Sequence, residues 1–168
     1  MEYILDMITI NRSSNTKSVE DLTFVDTFPF RIRDMPIPTC KTGFVYFLVS
    51  IKSPQAIYIG ETQCLKKRLK EHNSGYGSKF TSHVHLRPWA IYAYISGFCC
   101  NKALMRRVEC LWQQKRNRLI QNGNTQNYDC TLQGNEVIDQ INQDDAYAEH
   151  HNQLNLVILC NEKQLESD

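Results

Sequence analysis

The sequence predicts an α+β domain: a small three-stranded sheet flanked by helices, with an extension at each end. Two short apolar runs, FVYFLV (44–49) and AIYIG (56–60), are separated by the polar, proline-bearing loop 51–55. Two β-rich runs that close together read as a hairpin. A third run, WAIYAYISGF (89–98), ends on Ser96-Gly97 and supplies the third strand. Helical patterns over about 64–74 and 101–120 lie on either side of that strand.

In chain order, residues 1–40 form an N-terminal extension expected to pack along the core. Phe28, Phe30 and Ile32 alternate there with Pro29, Arg31 and Arg33, an edge-strand pattern, because proline is tolerated at an edge but not in a central strand. The core domain is placed at 41–122. Its first strand is apolar on both faces, which predicts a central position. The first helix is compact and basic, Gly75 is placed to stop it, and Arg68 and His72, four residues apart, share one face. Residues 75–88 (GYGSKFTSHVHLRP) make a connection long enough to be functional. The second helix opens on Asn101 as N-cap, with Leu104, Val108, Leu111 and Ile120 as its apolar stripe and Glu109 at the stripe's edge. From residue 123 to 168 the chain is polar and acidic. Val137, Ile138 and Ile141 suggest a short helical turn, and the pattern leaves the apolar run within 146–160 open between helix and strand.

With 168 residues, 42% hydrophobic and 22% charged, the composition is that of an ordinary soluble single domain. No apolar run approaches membrane-spanning length, and acids near the N-terminus argue against a signal peptide. Seven cysteines without a repeated CxxC spacing indicate reduced, intracellular thiols rather than a disulfide framework or a zinc site. His83, His85, His150 and His151 lack metal-ligand spacing and are expected at the surface. The net charge of +1 conceals a division: residues 39–118 hold fourteen Lys/Arg against Glu61, Glu71 and Glu109, while residues 119–168 hold Lys163 against nine acids. A basic central segment is what a surface meeting phosphates requires. Its expected contacts are Lys66, Lys67, Lys70, Lys79, Arg87, Arg106 and Arg107.

Tyr46 and Tyr58 have eleven residues between them, Gly60-Glu61-Thr62 follows the second, Arg68 lies ten residues after Tyr58, and His72 four later. This pattern, with Glu109 on a later helix, resembles the GIY-YIG nuclease family over roughly residues 43–120. The resemblance implies that family's fold, a small, mostly antiparallel sheet flanked by helices. It also implies a catalytic group of Tyr46, Tyr58, Arg68, His72 and Glu109. The continuation HNSGYGSKFT…RPWAIYAYISGF…VECLWQQ is similar to the catalytic subunit of endonucleases that cut branched DNA, although the cysteine spacing of their RING-type zinc domain is missing. A phenylalanine also replaces the glycine usual before Val-Tyr.

The expected function is therefore metal-dependent hydrolysis of DNA phosphodiester bonds, on branched or duplex DNA, with a homodimer or a partner subunit and no membrane. Glu109 would bind one Mg²⁺ (or Mn²⁺), which keeps most of its waters and so needs few protein ligands. Arg68 would hold a non-bridging phosphate oxygen. The resemblance makes Tyr46 a general base, provided that nearby cations depress its phenol from about 10. Tyr58 and His72 would complete the hydrogen bonding, and Asn122, Asn124 and Asn127 are candidates for a supporting asparagine. The alternative is a catalytically silent nucleic-acid-binding or protein-interaction module that keeps the fold.

Overall fold

A computed structural model describes residues 36–121 and 129–159. The alternation over 28–33 and the three candidate asparagines lie outside the described residues. The elements run β1 (Phe44–Ser50), β2 (Ile57–Thr62), α1 (Leu65–Ser74), β3 (Trp89–Ser96), α2 (Lys102–Gln121), α3 (Cys130–Asn142) and β4 (Asn155–Ile158), with 3₁₀ turns at Val84–Leu86 and Asp145–His150.

All strand neighbours are antiparallel, in the order β2-β1-β3-β4. As the two-sided apolar pattern predicts, β1 is central, and all seven of its residues are buried. The expected sheet of three strands gains a fourth. β4 pairs Leu156 with Ile95 and Val157 with Tyr94, so the apolar run left open between helix and strand forms an edge strand after a 3₁₀ turn. The expected short turn around Val137 is likewise a 13-residue helix, opened by Asp129, whose side chain accepts from Leu132 N–H. Val137 and Ile141 enter the same core as the sheet.

The pleat sends successive β1 side chains to opposite faces. Phe47 meets the ring of Trp112 on α2 at 5.7 Å, while Tyr46 meets the ring of His72 on α1 at 5.8 Å. α2 buries Leu104, Met105, Val108, Leu111 and Trp112, each worth roughly 1.5–3 kcal/mol on burial. Asn101 caps it as predicted, its Oδ1 accepting from Leu104 N–H at 3.0 Å. α1 ends in the left-handed Gly75, whose N–H reaches the His72 carbonyl. Asn73 then ties the end of α1 to β3, donating to the Trp89 carbonyl and accepting from Trp89 N–H. Loop 75–88 is fastened at its far end by Ser50 Oγ, which donates to the Leu86 carbonyl at 2.6 Å. The fold thus fixes α1, the loop and the first two strands around one point, the hydroxyl of Tyr46.

Candidate active site

Tyr46 lies opposite Gly60 in the β1–β2 register, and Tyr58, two residues before Gly60, is its diagonal neighbour. The two rings are 6.3 Å apart. The glycine is required by space: a Cβ at position 60 would stand 2.6 Å from Tyr46 Oη and 2.8 Å from the Tyr58 ring. One turn apart on α1, Arg68 and His72 converge on the same oxygen. Arg68 Nε donates to Tyr46 Oη at 3.2 Å, and His72 Nε2 lies 2.8 Å from it. The guanidinium is also held by Glu71, at 2.9 Å. Tyr46 is 1% exposed and His72 fully buried, whereas the Arg68 side chain keeps 28% of its surface.

Burial decides the protonation of this group. It pushes the Tyr46 phenol above its ordinary value, helped by Tyr58, and the hydrogen bond and charge of Arg68 only partly offset this. The expectation that cations depress this phenol is therefore corrected: desolvation outweighs the one cation in contact. Burial also lowers His72 to about 4, with the Arg68 charge acting in the same direction and Glu71 opposing. At neutral pH the site holds a protonated phenol against a neutral imidazole.

Glu109 projects from the edge of α2, half-buried, and accepts from Gln113 Nε2 at 3.2 Å. Gln113 also donates to the Ile59 carbonyl at 3.0 Å, which holds this part of α2 against β2. Burial raises the Glu109 carboxyl to about 7, and Glu61 adds to the shift, against the opposing charges of Arg106 and Arg68. Glu61, directly after Tyr-Ile-Gly, is a site neighbour that the motif comparison passed over; it pairs with Arg106 at 3.6 Å. Its signal was available, since it is one of three acids in residues 39–118. Thr81 was passed over too. It is fully buried, and its Oγ1 lies 2.6 Å from His72 Nδ1.

Among the described residues no three His, Cys, Asp or Glu side chains cluster as a metal cage. The donor set fits a different binding mode: a single carboxylate whose ionisation is disfavoured by burial and by a second carboxylate, and is thus relieved by a cation. A cleft of about 340 Å³ adjoins the group, lined by Lys41, Glu61, Thr62, Lys67, Arg68 and Glu71 among others. Of the basic contacts expected from sequence, Lys66, Lys67, Lys70, Lys79, Arg106 and Arg107 are exposed. Arg87 is instead half-buried over the end of α1, donating to the Asn73 carbonyl at 3.4 Å. His83 and His85 are exposed, while His150 is half-buried and bonded to Asn101 at 2.9 Å.

Comparison with known proteins agrees with this geometry. The GIY-YIG catalytic domain family matches residues 42–127. A structure-specific endonuclease subunit of Talaromyces marneffei is 36% identical over 85 residues, covering 48% of this chain and 21% of that protein. The subunit of the same name from Yarrowia lipolytica is 32% identical over 79 residues, covering 45% of this chain and 27% of that protein. In Kluyveromyces lactis the figures are 32% over 101 residues, 54% and 35%. The chain therefore spans about a fifth to a third of the length of these relatives.

Proposed function

The chain belongs to the GIY-YIG catalytic domain family, and from that premise we propose that it is an endonuclease hydrolysing phosphodiester bonds of DNA, with branched forms such as flaps, forks and four-way junctions as its substrates. The observation that carries this is the convergence of Arg68 and His72 on the hydroxyl of Tyr46, with a half-buried Glu109 on the neighbouring helix. The names of the relatives support the branched substrate, and their designation as subunits supports a partner subunit or a second copy. A DNA substrate implies an intracellular location.

Hydrolysis needs a deprotonated water, neutralisation of charge at phosphorus and a stabilised leaving oxygen. Arg68, with part of its surface open to the cleft, binds a non-bridging phosphate oxygen. Glu109 would hold Mg²⁺ (or Mn²⁺), which when bound supplies positive charge beside the reacting phosphate. Because the Tyr46 phenol is protonated, it serves as a relay and not as a standing base. As water attacks phosphorus its proton moves to Tyr46 Oη, and the phenol proton moves to His72 Nε2. Meanwhile the bond from phosphorus to the departing ester oxygen breaks, and that oxygen takes a proton from solvent. No free phenolate has to form. Tyr58 orders the rim of this group, its ring 5.2 Å from that of His72.

The test is cleavage of a labelled panel (linear duplex, single strand, 5′ flap, fork, four-way junction) with Mg²⁺, beside Glu109→Ala and Tyr46→Phe. Selective nicking of branched forms, lost in both variants with DNA binding retained, is the expected outcome. Binding without cleavage of any form by the wild-type chain would show a silent nucleic-acid-binding module instead.

A further inference from the structure

We propose that Thr81 is a positioning residue of this site: its hydroxyl holds His72 in the tautomer that carries hydrogen on Nδ1, leaving Nε2 bare to take the proton of Tyr46. The inference concerns the relay and so rests on the nuclease reading, although its geometry stands without it.

Counting hydrogens assigns the tautomer. Arg68 Nε–H donates to Tyr46 Oη at 3.2 Å. Among the described residues the only other partner of that oxygen is His72 Nε2 at 2.8 Å, so the phenol hydrogen points there and Nε2 must accept. A neutral imidazole that accepts at Nε2 carries its hydrogen on Nδ1, which faces Thr81 Oγ1 at 2.6 Å. Thr81 Oγ1 also accepts from Ser78 N–H at 3.0 Å and sends its own hydrogen to Ser78, whose hydroxyl oxygen lies 3.1 Å away and whose carbonyl lies 3.3 Å away. The hydrogens of Arg68 Nε, the Tyr46 phenol, His72 Nδ1 and the Thr81 hydroxyl then each have an acceptor. In the opposite tautomer Nε2–H and Arg68 Nε–H would both point at Tyr46 Oη, and the phenol hydrogen would have no acceptor among the described residues. Burial of that orphan is costly.

The loop is built to hold Thr81 in place. Trp89 Nε1 donates to the Thr81 carbonyl at 3.0 Å, and Trp89 is itself anchored by Asn73. Gly77 lies close to the imidazole, where a Cβ would run into His72 Nδ1 and stand 2.8 Å from Thr81 Oγ1. A loop whose only task was to connect α1 to β3 would not need a buried threonine and a glycine closing on one ring nitrogen.

The experiment uses ¹⁵N-histidine labelling of the full chain and long-range ¹H–¹⁵N correlation at His72, with cleavage assays of Thr81→Val and Thr81→Ser. Wild-type His72 is expected to show a protonated Nδ1 and a bare Nε2. Thr81→Val, which has nearly the same shape but no acceptor, should shift His72 toward the Nε2–H form and lower kcat about ten- to a hundredfold with little change in KM. Thr81→Ser should keep the wild-type tautomer and recover most of the rate. An Nε2–H tautomer in the wild-type chain overturns the proposal. A folded Thr81→Val that keeps the wild-type tautomer or rate also overturns it. If Thr81→Val does not fold, the wild-type tautomer and the Thr81→Ser rate decide. If the wild-type chain cuts nothing, the nuclease reading fails while the tautomer measurement still decides the role of Thr81.

Discussion

On the β1–α1 side of the site, Tyr46 and His72 are buried, and hydrogen bonds link Arg68 through Tyr46, His72 and Thr81 to Ser78. On the β2–α2 side, Glu61 and Glu109 are partly open and repel each other as carboxylates; the Arg106 charge acts on both, and Gln113 donates to Glu109 alone. The first side is what a fixed proton path requires, since a misplaced donor costs rate even when its chemistry is intact. The second is what a binding site for cation and phosphate requires, because carboxylates left short of partners are completed only by the ligand. One side invests in order, the other stores unfavourable charge.

The largest effect expected from this division is at Glu109. Glu109→Gln should lower cleavage about a thousandfold or more, while in EDTA at pH 8 the variant should melt at an equal or higher temperature than wild type. The sign follows from the raised carboxyl. The unfolded side chain titrates near 4.3 and the folded one at about 7. Ionisation therefore destabilises the metal-free fold above pH 7, and this burden disappears below about 4. Tyr46→Phe, by contrast, should cost about 10²–10⁴ in kcat. A thermal melt in which Glu109→Gln is clearly the less stable protein would break the contrast.

Next in size is Gly60→Ala. The added methyl cannot avoid Tyr46 Oη at 2.6 Å, so stability should fall by about 1–3 kcal/mol and cleavage should approach that of Tyr46→Phe. In the Tyr46→Phe background the same change should be less harmful to stability, since the hydroxyl it strikes is gone. Additive unfolding free energies would show that the two residues do not meet. A smaller, pH-dependent effect belongs to His72. Its unfolded imidazole titrates near 6.5 and its folded one at about 4, so the unfolded chain binds more protons between those values. Stability should be complete above about pH 6.5 and decline toward pH 4. His72→Gln should flatten that decline in a pH series of thermal melts.

Much of this was legible in the sequence because it is carried by local spacing. Tyr46, Tyr58, Arg68 and His72 fall on a hairpin and one helical turn, where period 2 and period 3.6 fix the faces. Asn101 and Gly75 mark helix ends by chemistry that acts within four residues. What escaped is set by partners distant in sequence. β4 was ambiguous because a four-residue apolar run becomes a strand only when Ser96 and Ile95 offer it an edge. The buried Val137 and Ile141 make residues 130–158 part of the sheet's own core, so the acidic character of that segment describes its surface and not its role in folding. The phenol of Tyr46 was misjudged for a similar reason: the basic composition around it was visible, but the burial that outweighs it was not.

The smallest effects are expected at the basic surface, where the same contrast between satisfied and unsatisfied groups sorts the cations. Lys66, Lys70 and Lys79 are exposed and make no ion pair among the described residues, whereas Lys67 lies 3.9 Å from Glu71 and Arg106 pairs with Glu61. Arg87 is folded over the end of α1. A cation that neutralises a phosphate releases counterions and contributes to the salt dependence of binding, while one spent inside the protein does not. Changing Lys66, Lys70 or Lys79 singly to Gln should each reduce the slope of log affinity against log salt by about 1, with melting temperature unchanged. Arg87→Gln should leave the slope as it is and lower the melting temperature, since it removes a bond to the Asn73 carbonyl and packing above Gly75. Titrations of a branched DNA between low and moderate salt measure both quantities. A slope that falls as much for Arg87→Gln as for Lys66→Gln would place Arg87 on the DNA, and its contact with α1 would then have to open when substrate binds.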